Sequence, residues 1–117
     1  MKYMLLIYSD HRIPQSEAEQ QEEIVAYTAF EQEIRPTGIV AAGEALHSMT
    51  SATTVRVRDG KTLTTDGPFA ETHEHLGGFY LLECKDLDEA ISWAAKIPTA
   101  TAGSIEIRPV VDFSNMS

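Results

Sequence analysis

A chain of 117 residues, 43% hydrophobic and 23% charged, suits one globular domain with a core of its own. Eighteen acids against nine bases give a net charge of −9, which argues against nucleic acid and anionic membranes, since both are gripped by clustered Lys and Arg. A single cysteine, Cys84, excludes an internal disulfide and reads as a small, buried or half-buried thiol.

The opening run "KYMLLIY" at residues 2–8 is short, apolar and aromatic, which predicts a central strand. It has neither the cleavage site of a signal peptide nor the length of a membrane span, so a soluble cytoplasmic protein is expected. Asp10, His11 and Pro14 mark a loop. Ser16 and Glu19 then form a capping box, and Ile24, Tyr27, Phe30 and Ile34 recur at helical spacing as one apolar stripe. Acids crowd the first turns, where the helix macrodipole favours them, and Pro36 with Gly38 ends the helix.

"IVAAGEAL", residues 39–46, predicts a second strand broken at Gly43. "TTVRVRDGKTLTTDG" predicts a hairpin turning at Asp59–Gly60, with Arg56 and Arg58 alternating against Val55 and Val57 so that one face is wet. "LGGFYLLEC" is the next core strand. "DLDEAISWAAKIP" predicts a second helix, capped by Asp86 and Glu89, that buries Leu87, Ala90, Ile91 and Ala94, with Trp93 off that stripe and free for a partner contact. "GSIEIRPVVDF" closes the chain with a last strand. Without the hairpin the order is βαββαβ, the ferredoxin-like plan of an antiparallel sheet with both helices on one face. The central strands are apolar on both parities, so the bare face needs a cover, and a homodimer packed sheet to sheet is expected.

The stretches "MKYMLLIYSD", "GIVAAGEAL", "TVRVRDG", "TDGPFAET", "LGGFYLLE", "DLDEAISWAAKIP" and "GSIEIRPV", in that order, resemble the DGPF-type proteins of the YCII-related family. The resemblance spans nearly the whole chain and implies an α+β, ferredoxin-like subunit of a dimeric α/β barrel. It also implies a functional aspartate at Asp66. The family's helix histidine would fall near Tyr27 here, and His73 stands where many relatives have lysine. Such genes often accompany sigma factors of the extracytoplasmic-function type, so the resemblance leaves two roles open: an enzyme or binder of small molecules, and a non-catalytic accessory module.

The chemistry concentrates in "DGPFAETHEH". Asp66 fits turn formation, with Gly67 free to take a positive φ and Pro68 fixing the next, and it equally fits a carboxylate base held at a strand end beside Phe69. Glu71, His73 and His75 would share one face of an extended chain, an arrangement open to a solvated rim, a His–carboxylate relay or a metal ion. Lacking Cys pairs or an HExxH spacing, the run is not expected to be a metal site, and no cofactor is expected, since phosphate-loop, dinucleotide and nucleophile-elbow motifs are absent. The site expected is therefore Asp66 as base with His73 assisting, and Glu44, Phe69, Glu71, His75 and Tyr80 around a small-molecule pocket.

Overall fold

The computed structural model of the chain describes residues 1–10, 15–69 and 73–115. Its main sheet has four strands: β1 (Lys2–Ser9), β2 (Val40–Ala45), β5 (His75–Glu83) and β6 (Ser104–Pro109). Their spatial order is β2-β5-β1-β6 and every neighbouring pair is antiparallel. Helices α1 (Glu17–Ile34) and α2 (Leu87–Ala94) complete the βαββαβ plan that the element order predicts. The hairpin strands β3 (Thr53–Arg58) and β4 (Lys61–Asp66) form a separate two-stranded sheet.

Both helices start where the sequence provides a cap. Ser16 Oγ accepts from the Glu19 N–H at 3.1 Å while Glu19 Oε1 accepts from the Ser16 N–H at 3.3 Å. At α2, Asp86 Oδ1 accepts from the Glu89 N–H, and Glu89 reaches back one residue beyond the cap, to the Lys85 N–H. Helix α1 stops at Ile34, a 3₁₀ turn over Arg35–Thr37 holds Pro36, and Gly38 leaves it at φ 76°.

The core lies between the helices and one sheet face. Alternate residues Tyr3, Leu5 and Ile7 of β1 and Tyr80 and Leu82 of β5 point into it, against Phe30, Ile34, Ala90, Ala94 and Ile97. Trp93, expected off the stripe, packs edge-on against Phe30 with centroids 6.3 Å apart, so its ring serves this core. Leu87, Ile91 and Ile24 are about half exposed or more. Helix α2 meets the sheet through its small residues, and α1 only through its second half. Strand β2 runs through Gly43 instead of breaking there, with a register shift between Val40 and Ala42.

On the opposite sheet face, Leu6 pairs with Phe79 and Met4 with Leu81, while Glu106 and Glu44 lie beside them on the outer strands. Among the described residues no helix packs on this face.

Leu82 is fully buried and Ile24 is 59% exposed. Leu82→Ala should therefore cost about 2–5 kcal/mol, and Ile24→Ala no more than about 0.5 kcal/mol. Urea unfolding at one fixed protein concentration measures both, and equal losses would mean that α1 packs down along its whole length.

Candidate ligand cleft

The partial docking of α1 leaves a cleft of about 1170 Å³ between the helix and the sheet. Ile24, Tyr27, Glu31 and Arg35 line it from the helix, Gly43, Glu44, Phe79 and Tyr80 from β2 and β5, Ile7 and Ser9 from β1, and Thr99 from the 3₁₀ turn after α2. The size suits a small organic ligand, and the mixture of apolar and aromatic wall with a few convergent polar groups is usual for such sites.

Tyr27, Glu31 and Arg35 follow one another at i, i+4 and i+8, so one helix face presents all three. Glu31 is the shared acceptor. Arg35 Nε donates to its Oε2 at 2.5 Å and the Tyr80 hydroxyl donates to its Oε1 at 2.5 Å. Tyr27 and Thr99 bond through their hydroxyls at 2.5 Å, tying helix to turn. The Tyr80 ring can reach Glu31 because it lies over Gly43. A Cβ at position 43 would sit 2.9 Å from Tyr80 Cδ1, closer than side chains tolerate. Phe30 steadies the ring from the core side, edge-on at 5.4 Å.

These contacts fix protonation states. The hydrogen bond from Arg35 holds the Glu31 carboxyl below its ordinary range, against some desolvation and with help from Tyr80. Burial, then the hydrogen bond to the Glu31 carboxylate, push the Tyr80 phenol far up. Burial raises Tyr27 as well. At neutral pH the cleft thus holds an ionised Glu31 between a cationic Arg35 and a neutral Tyr80. Tyr80 spends its proton on Glu31 and turns its oxygen lone pairs to any ligand alongside.

Of the residues expected at a site, Glu44 and Tyr80 line this cleft. His75 is buried at the start of β5, where it pairs in register with the cleft residue Ser9. Asp66 ends β4 and is exposed, and Phe69 is 80% exposed in the turn that follows. His73 precedes β5, and none of these three lines the cleft. Glu71 and His11 lie outside the described residues. Among the described residues no three His, Cys, Asp or Glu side chains gather as a metal site. Cys84 is buried, and burial first and nearby Glu89 next raise its thiol, which suits packing and not nucleophilic attack. Sequence reasoning passed over Glu31, Arg35 and Thr99 and took Tyr27 for core stripe. The i, i+4, i+8 spacing of one phenol, one acid and one base was the available signal.

A ferredoxin-like α+β unit with an open cleft between helix and sheet is the class of protein that this fold and geometry define. The YCII-related domain matches residues 1–114, and the chain belongs to the YCII-related family. An uncharacterised protein of Rhizobium meliloti strain 1021 is 36% identical over 114 residues, covering 94% of this chain and 92% of the relative. Among solved structures, 5-chloro-2-hydroxyhydroquinone dehydrochlorinase (TftG) from Burkholderia phenoliruptrix AC1100, in complex with 2,5-dihydroxybenzoquinone, is similar with a TM-score of 0.55 over 95% of this chain and 94% of that one. At 12% identity the likeness is one of fold.

Because Glu31 has a lower value folded than unfolded, its contribution to stability is complete above its ordinary value near 4.5 and is lost as pH falls through the lower, folded value. The melting-temperature gap between wild type and Glu31→Gln should hold steady from neutral pH down to about 4.5 and close below it. A gap that stays open in stronger acid would mean that the carboxylate's charge is not what the contact uses.

Proposed function

We propose that this domain binds a small hydroxylated aromatic compound in the α1–sheet cleft and works on it as a homodimer. The carrying observation is the Tyr80–Glu31–Arg35 chain on the cleft wall. It offers a ligand the Tyr80 oxygen and the remaining lone pairs of Glu31, and both are acceptors, so a ligand rich in hydroxyl donors is the fitting guest. Tyr27 and Tyr80 give flat walls for a ring. The fold neighbour, named for a hydroxyhydroquinone and bound to a dihydroxybenzoquinone, supports the same size and shape of guest.

Glu31 and Tyr80 orient the ligand. Glu31 is held ionised and Tyr80 neutral across the neutral range, so the carboxylate accepts from the ligand and the phenol keeps its proton. Asp66 is proposed as the base and His73 as its assistant, with His75, paired in register with the cleft residue Ser9, as a further contact. Glu44 and Phe69 are proposed as further ligand contacts, and Glu71 is carried in the same proposal from the sequence.

Isothermal titration with hydroquinone, its carboxylate derivative 2,5-dihydroxybenzoate and unsubstituted benzene tests the cleft. Hydroquinone should bind best. Tyr80→Phe should weaken it by roughly 10- to 100-fold, the worth of a hydrogen bond in a charged network, without unfolding the protein. Asp66→Asn and His73→Ala should leave that affinity within about twofold, and lower any turnover once a substrate is found. Equal binding of all three compounds would remove the polar chain from the argument.

The half-buried Leu6, Phe79, Met4 and Leu81, which share one face across β1 and β5, support the dimer proposed here. Light scattering at micromolar concentration should give about twice the 12.9 kDa chain mass. A monomer there would sink the sheet-to-sheet reading, and Leu6→Asp should produce one.

A further inference from the structure

The β3–β4 hairpin is built firmly and is largely exposed among the described residues. Asp59 at φ 53° and Gly60 at φ 74° make a two-residue turn of the type that matches strand twist. At the other end the Gly67 N–H donates to the Ala52 carbonyl at 2.7 Å, and Thr54 Oγ1 donates to the Gly67 carbonyl at 2.8 Å. Gly67 holds φ 96°, which a side chain would strain. Yet every residue of β4 is exposed, Val55 and Val57 are each 60% exposed, and Leu63 is 48% exposed. An isolated two-stranded hairpin is marginal in water. The chain's radius of gyration, 16.6 Å, exceeds the roughly 13 Å of a compact domain of this length, in keeping with a hairpin that pairs only with itself.

Its charge differs from that of the body. The hairpin holds Arg56, Arg58 and Lys61, three of the nine basic residues, against only two of the eighteen acids, Asp59 and Asp66. A basic arm with bare valines, on an otherwise strongly acidic molecule, is complementary to a second copy of that molecule. The acids that flank the open sheet face, Glu44 beside Phe79 and Glu106 beside Leu6, provide a counterpart continuous with the proposed sheet interface.

We infer that the β3–β4 hairpin is a clasping arm that lies against the acidic flank of a second copy of this chain, each arm of a two-fold dimer holding the other subunit. This rests on the sheet-to-sheet dimer proposed above and adds a second contact to it. In an isologous pair each contact occurs twice, so one arm's effect is doubled.

Sedimentation of the full chain tests it with Arg56→Glu, Arg58→Glu and Lys61→Glu combined. The triple variant should keep its helix and strand circular dichroism and dimerise roughly 100-fold more weakly. Mixed with a Glu44→Lys, Glu106→Lys variant, it should form a heterodimer. An unchanged dimer constant overturns the arm while leaving the sheet interface standing; a monomeric wild type would instead overturn the dimer itself. If the triple variant does not fold, the wild-type dimer still decides the matter: its dissociation constant should rise steeply with ionic strength, and a salt-independent constant overturns the inference.

Discussion

Strands β1 and β5 have more apolar side chains than two helices can cover. Tyr3, Leu5, Ile7, Tyr80 and Leu82 take one face and the helices with it. Met4, Leu6, Phe79 and Leu81 remain on the other. Much else in the molecule follows from that imbalance. Helix α1 is long, yet only its second half touches core, and Gly43, Gly77 and Gly78 line the cleft beside it in place of large side chains. The cleft is the space so left, and the sheet's far side keeps the second set of apolar side chains.

The cleft and the core are joined through one ring. Tyr80 is a core residue by burial and a site residue by its hydroxyl. Gly43 below and Phe30 beside it fix the ring, and that places the hydroxyl on Glu31. The site's polar chain is therefore positioned by apolar packing. A change at Gly43 or Phe30 would act on ligand geometry without touching a polar atom.

The strand and helix order, the caps at Ser16 and Asp86 and the Asp59–Gly60 turn were legible because each is local: period, cap and turn residues stand within a few positions of one another. What escaped depends on distance in space. Ile24 fits the α1 stripe by spacing but is 59% exposed and borders the cleft. Leu87 and Ile91 fit the α2 stripe, but the helix seats on Ala90 and Ala94, whose small side chains let its backbone approach the sheet. Gly43 looked like a strand break and is a cradle for a ring contributed by β5. The dense "DGPFAETHEH" run drew attention to itself, whereas Tyr27, Glu31 and Arg35, scattered in an acidic helix, line the cleft. Glu44 and Tyr80, singled out as an acid after a glycine and an aromatic with a polar tip, lie along the cleft.

Trp93 is the chain's single indole, and it ends a row of three rings. Its edge meets Phe30, and Phe30 meets Tyr80 at the cleft wall. On its outer side the Lys96 ammonium stands 5.0 Å from the ring centre. The protein thus contains a fluorophore that is out of a ligand's reach but one ring away from the residue the ligand would touch. Its emission is an intrinsic optical gauge of how tightly the Tyr80 ring is held.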